Sequence, residues 1–408
     1  MASRFRFTVL SVAAGWFSAT GAFAQSYTTL YSPSQQDVGF STKLTGVSGD
    51  TIVGTYNDNV TQGAAFDRGM RYDGSSFTSI DYPSPDADAT EVTGISGSTV
   101  IGTYHQGSNT FGFSFDGSSF VPIDVPYSNG AGVNSTEPAG ISGNTIVGTF
   151  QDSSNSGRNA GFVYDGSSFT TLNVPDGHGG IFPTEATGLS GGLIVGTYQD
   201  SSAGGGNHGF IYDGAGFTTF DFQYPPGHFT PTAPTEITGI SENNIIGTYQ
   251  DDTGQTQGFL YHDGVFSTLG ILRPNDSGTW PAIPLGIAGN TIVGTYVNDV
   301  NPPFGNGTSN EGFILHIPFG DVNLDGIVNS QDLALVSSNW LASGPHQPGD
   351  ANGDGVVNSQ DLALVSSNWL DQVGLSGAVP VPEPSTIALL AIGAVLGRDL
   401  RVGRKRRA

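Results

Sequence analysis

Six short apolar runs, each ending in Gly-Thr-aromatic, recur along the 408-residue chain and constrain its fold more than any other feature. Their glycines are Gly54, Gly102, Gly148, Gly196, Gly247 and Gly294, spaced 46 to 51 residues apart. A period of that length marks a repeat architecture, in which each unit is one supersecondary element that buries its apolar face only against its neighbours. Residues 184–225 show the unit in full, with four strand-like runs. The first two, 184–190 and 193–199, flank Gly191-Gly192, a two-residue hairpin signal. The last two, 208–212 and 216–222, are joined through Asp213-Gly214, where glycine supplies the positive φ of a tight turn. Asp-Gly returns at Asp73-Gly74, Asp116-Gly117, Asp165-Gly166 and Asp263-Gly264.

Four antiparallel strands per unit predict β-propeller blades. The sixth unit stops after its third strand at residues 312–316, while residues 26–33 (Ser-Tyr-Thr-Thr-Leu-Tyr-Ser-Pro) read as a fourth strand with no blade before them. The expectation for residues 25–318 is therefore an all-β six-bladed β-propeller of four-stranded antiparallel blades, with the N-terminal strand closing the last blade and leaving no open edge. A content of 61 Gly, 25 Phe and 14 Tyr with only 12% charged residues suits such turn-rich, aromatic-cored structure. Cysteine is absent, which excludes disulfides, thiolate metal sites and thiol catalysis.

Residues 320–371 carry different chemistry. Side-chain oxygens of Asp321, Asn323, Asp325, Asn329 and Asp332 fall at positions 1, 3, 5, 9 and 12 of a loop, with Gly326 at position 6 and the backbone carbonyl of Ile327 at position 7. The same spacing returns 29 residues later as Asp350, Asn352, Asp354, Val356, Asn358 and Asp361, and residues 328–341 are repeated identically as 357–370. This is the ligand pattern of an EF-hand-type loop, in which a hard cation takes six to eight oxygens. Two Ca2+ sites are expected. Position 12 is Asp where EF-hands usually have Glu. Three carboxylates converging in each loop repel one another without a cation, so calcium is expected to order the segment. After each loop Leu333, Leu335, Val336 and Trp340, and again Leu362, Leu364, Val365 and Trp369, predict one apolar face per helix.

The paired loop and helix resemble a type I dockerin, a calcium-dependent module that docks onto a cohesin in extracellular polysaccharide-degrading assemblies. The resemblance implies a small α-helical EF-hand pair over 319–373 and a cohesin-like partner. It places partner contacts at Ser330-Gln331 and Ser359-Gln360, whose identity in both copies suits two equivalent orientations. The family often has two hydroxyl residues there, and Ser-Gln departs from that pattern.

Both termini carry targeting signals. Arg4 and Arg6, the apolar stretch 7–17 and the Ala22-Phe23-Ala24 site read as a secretory signal peptide over residues 1–24, removed by signal peptidase. Beyond a linker at 374–380, Pro382-Glu383-Pro384 precedes an apolar run at 387–396 and six basic residues from Arg398 to Arg407. Alone, that run is short of the roughly 18 to 20 residues of a full span and reads as a weak transmembrane helix with a positive-inside flank. Together, residues 381–408 resemble the PEP-CTERM sorting signal of exported bacterial proteins. The resemblance implies recognition by an exosortase, tail removal, and delivery to the cell surface or an extracellular matrix with transient or residual membrane association. Processing leaves five basic residues against 34 acidic ones, a net charge of about −29 that disfavours nucleic acid and anionic membrane surfaces.

Candidate chemistry in the repeats is sparse. Glu91, Glu137, Glu185 and Glu236 each lie three residues before the first-strand glycine, with Lys43 and Ile283 at the two equivalent positions. On innermost strands they would ring the mouth of a central channel, where a partial acidic ring offers a cation or sugar site or a pair of carboxylates for glycoside hydrolysis. The plainer reading is a residue repeated to hold each blade to its neighbour. Trp280, Tyr224 and Phe229 are candidates for stacking on sugar rings. Asp58, Asp152, Asp200, Asp251 and Asp299 follow the second strands and suit loop capping. The function expected is a non-catalytic exported propeller that acts as a binding or structural module, with a calcium-ordered attachment module and polysaccharide as a candidate ligand. The alternative is a polysaccharide-degrading glycoside hydrolase or lyase.

Overall fold

The protein is described by a computed structural model covering residues 27–30, 41–58, 66–84, 89–107, 109–126, 134–152, 157–200, 206–224, 232–242, 244–262, 265–272, 279–298, 309–318, 320–323, 327–343, 349–351 and 356–369. A first strand, β1 (Tyr27–Leu30), precedes six repeat units, numbered here in chain order. Unit one comprises β2 (Thr42–Ser48), β3 (Thr51–Asp58), β4 (Phe66–Tyr72) and β5 (Phe77–Ile80). Unit two has β6 (Ala89–Ser96), β7 (Thr99–Gln106), β8 (Asn109–Phe115) and β9 (Phe120–Pro122), and unit three β10 (Thr136–Ser142), β11 (Thr145–Asp152), β12 (Arg158–Tyr164) and β13 (Phe169–Leu172). Unit four has β14 (Thr184–Ser190), β15 (Leu193–Gln199), β16 (Asn207–Tyr212) and β17 (Phe217–Phe220), and unit five β18 (Thr235–Ser241), β19 (Asn244–Gln250), β20 (Thr256–His262) and β21 (Val265–Leu272). Unit six has β22 (Thr279–Ala288), β23 (Thr291–Asn298) and β24 (Ser309–His316). Two helices follow, α1 (Ser330–Ser338) and α2 (Ser359–Ser367).

The fold is all-β and propeller-like. The expectation of six separate four-stranded blades is corrected: four sheets stand alone with four strands each, and the remaining strands run as one eight-stranded sheet in the order β1-β24-β23-β22-β21-β20-β19-β18. The fusion arises because β21 and β22 continue to pair through Gly270↔Pro281, Ile271↔Trp280 and Leu272↔Thr279, a ladder the other inter-unit segments do not form among the described residues. At the other end of that sheet β1 pairs antiparallel with β24, Leu30 opposite Gly312, so the N-terminal strand covers the edge that the short sixth unit leaves.

First strands are innermost. Contacts run in a closed cycle, β2 to β6, β10, β14, β18, β22 and back to β2. Each carries a β-bulge before its glycine, at Gly46, Gly94, Gly140, Gly188, Gly239 and Gly286. The bulge residues and these glycines line a central channel. Apolar side chains form clusters that bridge consecutive units. The third-strand phenylalanines Phe113, Phe162, Phe210, Phe259 and Phe313 are fully buried, and Leu30, Leu44, Val293 and Ile314 share one cluster across the junction of units six and one.

Local chemistry explains the hairpins. Gly191 and Gly192, at φ 59° and 88°, form the two-residue turn between β14 and β15. In the second hairpins Asp73 accepts from the amides of Ser76 and Ser75, as Asp116, Asp165 and Asp213 do at equivalent turns. Those donors hold all four carboxyls below their ordinary values.

Candidate functional site

The paired loops enter their helices in the same way. Asn329 and Asn358, at loop position 9, are the N-caps of α1 and α2, and each side chain accepts from the amide two residues on, Gln331 and Gln360, at 2.8 Å. Position 12 completes a capping box: Asn329 N–H donates to Asp332 Oδ2 at 2.8 Å and Asn358 N–H to Asp361 Oδ2 at 2.7 Å. Asp332 Oδ1 also accepts from the amide of Asn323, so position 12 draws position 3 inward. One segment therefore folds the ligand loop and starts the helix.

The two copies interlock. Gly320, before the first loop, sits against α2, where an added Cβ would stand 2.9 Å from Val365 Cα. Gly349, before the second, sits against α1, 2.8 Å from Val336 Cα. Both have φ near 90°, a conformation natural to glycine. Val328, Val336, Val357 and Val365 form a fully buried core. The apolar faces are realised in part: Leu333, Leu362 and Trp369 pack on this core, Leu335 and Leu364 are not among its residues, and Trp340 is 41% exposed beside Leu341. Ser330, Gln331, Ser359 and Gln360 are all exposed at the helix starts.

Electrostatics favour a cation. Asp321, Asp332, Asp350 and Asp361 are buried, and no lysine or arginine occurs between residues 274 and 397 to neutralise them. Buried carboxylates need pairing or a metal. With the Ile327 and Val356 carbonyls, which accept from the side-chain amides of Asn329 and Asn358, the donor set is all oxygen and fits a hard ion such as Ca2+. Among the described residues no three acidic or histidine side chains converge as metal ligands. Asp325, Asn352 and Asp354 lie outside them, as do Ala22, Ala24, Pro382, Glu383 and Pro384.

The glutamates sit on β6, β10, β14 and β18 as the register requires. Two are tied to the preceding unit: Asn159 Nδ2 donates to Glu185 Oε1 at 2.8 Å, and Asn207 Nδ2 to Glu236 Oε1 at 2.6 Å. Glu91 lies 3.6 Å from His105 Nε2. Glu137 keeps contact with solvent, yet surrounding protein raises its carboxyl above the ordinary value, with the charges of Glu185 and Glu91 adding to the shift and His105 opposing it. A carboxyl whose folded pKa is raised holds its proton more firmly folded than unfolded, so its contribution falls as pH rises from the ordinary value through the raised one. Glu137→Gln is therefore expected to remove that loss. Thermal melts from about pH 4 to pH 7 should converge for variant and wild type at the acid end and separate in the variant's favour toward neutrality.

The aromatic candidates resolve differently from the sugar-stacking expectation. Trp280 is 2% exposed and packs on Tyr296, so it belongs to the core. Tyr224 donates its hydroxyl to the Gln250 carbonyl and packs edge-on against Phe222 and Tyr249, while Phe229 lies outside the described residues. Asp251 caps its loop, accepting from the amides of Thr253 and Gln255. Sequence reading missed the partners of the Gly-Thr-aromatic threonines: Thr55 and Thr197 accept from the amides of Val92 and Ile237 in the following unit. Their recurrence was the signal; the acceptor role appears only when units are set side by side.

The class is thus a propeller-like domain followed by a paired-loop helical module. Residues 319–370 match the family model of the dockerin type I domain, and residues 380–407 match the PEP-CTERM protein-sorting motif. The chain is an exported, dockerin-bearing propeller protein of the cell surface or extracellular space; a type I dockerin implies a cohesin partner and typically binds calcium, and the sorting motif implies exosortase processing. Among the described residues no helix is long and apolar enough to cross a membrane, so a transmembrane helix is not supported; residues 387–396 lie outside them.

Among solved structures, the fungal Aleuria aurantia lectin, described as a six-bladed β-propeller with a novel fucose recognition mode, is 16% identical over 63% of this chain and 88% of its own, with a TM-score of 0.39. Pyrococcus horikoshii acylaminoacyl peptidase is 10% identical over 68% of this chain and 52% of its own, TM-score 0.39. The Hadza microbial sialidase Hz136 is 11% identical over 69% and 66%, TM-score 0.38. No curated protein matches the chain in sequence.

Proposed function

We propose that this protein is a non-catalytic binding or structural component displayed outside the cell, held in place by a dockerin module that binds one Ca2+ in each of its two loops. The observation that carries this reading is the set of four buried aspartates in an interlocked pair of loops with no lysine or arginine in the segment. Ligands in loop one are Asp321, Asn323, Asp325, the Ile327 carbonyl, Asn329 and Asp332. In loop two they are Asp350, Asn352, Asp354, the Val356 carbonyl, Asn358 and Asp361. We read the eight-stranded sheet as units five and six joined edge to edge, so that the inner strands form a ring of six units over 25–318. The module spans 319–373, with linker 374–380 and sorting signal 381–408. The hydrogen bonds from Asn159 and Asn207 support a strut role for Glu185 and Glu236 over a catalytic one.

The test is capture of a cohesin from surface proteins of the source bacterium by the mature protein, with and without EDTA. Capture is expected with calcium only. Replacing Ser330-Gln331 alone is expected to leave capture intact, because Ser359-Gln360 presents the same pair, whereas replacing both pairs is expected to abolish it. Release of reducing sugar from any matrix polysaccharide by the mature protein would overturn the non-catalytic reading.

A further inference from the structure

Three kinds of side-chain staple join consecutive units. First, the bulge threonine donates to the carbonyl before the next bulge: Thr45 to Val92 at 2.6 Å, Thr93 to Pro138 at 2.6 Å, Thr187 to Ile237 at 2.7 Å and Thr238 to Pro284 at 2.7 Å. Second, the serine ending the first strand accepts from the next unit's turn amide: Ser48 from Gly97, Ser96 from Gly143, Ser190 from Glu242 and Ser241 from Gly289, at 2.9 to 3.1 Å. Third, Thr55 and Thr197 accept from Val92 and Ile237, where Pro138 and Pro284 offer no N–H.

Among the described residues two seams lack these staples. Between units three and four the bulge residue is Ala139, which has no hydroxyl, and Ser142 and Thr149 make neither of the equivalent bonds. Polar links there include Asn159 Nδ2 to Glu185 and the Val174 amide to Thr184 Oγ1. Between units six and one the corresponding residues are Leu285 and Ala288, and Thr295 supplies a single long bond to the Thr42 carbonyl at 3.3 Å. These seams are three units apart either way round, hence diametrically opposite.

Packing separates them. A Cβ built on the third-strand glycine would stand 2.7 to 2.8 Å from the next unit's Val92, Pro138, Ile237, Pro284 or Leu44. At Gly161 the nearest side chain across the seam is the Ala186 methyl, at 3.6 Å. Around Gly161 the junction of units three and four therefore has fewer side-chain hydrogen bonds and thinner apolar contact, although Val147, Leu172 and Val174 still share a buried cluster with Ala186 and Phe210, while that of units six and one keeps Leu44 packed. Glu137 feels like charge from both neighbouring units, from Glu185 across this seam and from Glu91 on the other side.

We propose that the ring is two rigid halves, units one to three and units four to six, which open at the seam between Ala139 and Ala186 and pivot on the opposite junction. This rests on the six-unit ring proposed above. Opening parts Glu137 from Glu185 and widens the channel between β10 and β14, a route for access that leaves the four stapled seams closed.

Hydrogen exchange read by mass spectrometry on the mature protein tests this. Amides in 184–190 are expected to exchange about tenfold faster than those in 89–96 and 235–241, whose seams carry all three staples. Ala139→Thr supplies the missing donor and Ala186→Val the missing bulk; either is expected to slow exchange at 184–190 by a similar factor. Thr187→Ala is expected to speed it at 235–241. Equal protection of the three first strands, or exchange at 184–190 unchanged in both filling variants, overturns the proposal. Small-angle scattering of the same sample reports the ring independently, since an open array gives a longer particle and sinks the parent reading instead.

Discussion

Removing calcium from the mature protein with EDTA is expected to melt α1 and α2 while leaving the propeller-like domain folded. In the absence of a cation the segment holds four buried aspartates with no lysine or arginine to offset their charge, and keeping several carboxylates buried together costs more than so small a valine core supplies. Far-ultraviolet circular dichroism should lose its helical component on chelation and recover it when calcium is restored. Asp321→Asn with Asp350→Asn removes one charge from each site. Calcium affinity by titration calorimetry is expected to fall by about two orders of magnitude, as ligand charge count sets affinity in such loops. Helices that persist in EDTA would refute the calcium-ordered module.

The second large effect is expected from a single methyl group. Gly196 lies on β15 where the Phe210 ring covers its α-carbon; an added Cβ would stand 2.8 Å from that ring and collide with the Glu185 carbonyl. A ring can turn away, but the carbonyl belongs to the paired strand β14 and moves only with the ladder. Gly196→Ala is therefore expected to cost about 3 kcal/mol or more, the upper range for overpacking. Phe210→Ala leaves a cavity worth about 3 to 5 kcal/mol. The double variant is expected to show no rescue, because the carbonyl collision survives loss of the ring. Chemical denaturation of the three proteins checks this, and recovery in the double variant would show that the ring alone demands the glycine.

Much of this architecture was legible in the residues. Apolar alternation around Gly-Thr-aromatic located the second strands, and Gly191-Gly192 and Asp213-Gly214 located turns, because those signals act within a few residues. The spacing of Asp321 to Asp332 likewise announced a dockerin-type loop, since that pattern is contained in one short segment. Less legible was anything depending on which unit stands beside which. Nothing local distinguishes β21 and β22, which go on pairing, from other inter-unit segments, and the identical repeats around Trp340 and Trp369 gave no hint that one indole packs and the other faces water.

The amino-acid sequence alone determined the repeat unit, its hairpins, the paired dockerin-like loops and the C-terminal sorting motif, because each is written in residues close along the chain. Tertiary structure alone decided that Thr45, Thr93, Thr187 and Thr238 staple units together and that Ala139 leaves one seam unstapled. It also decided that Glu185 and Glu236 bind asparagines of the preceding unit. The bulge-threonine bonds join residues 45 to 50 positions apart, and the glutamate bonds residues 26 and 29 apart. At those separations a hydroxyl's partner is set by the close approach of neighbouring strands around the ring, a condition that no window of sequence contains.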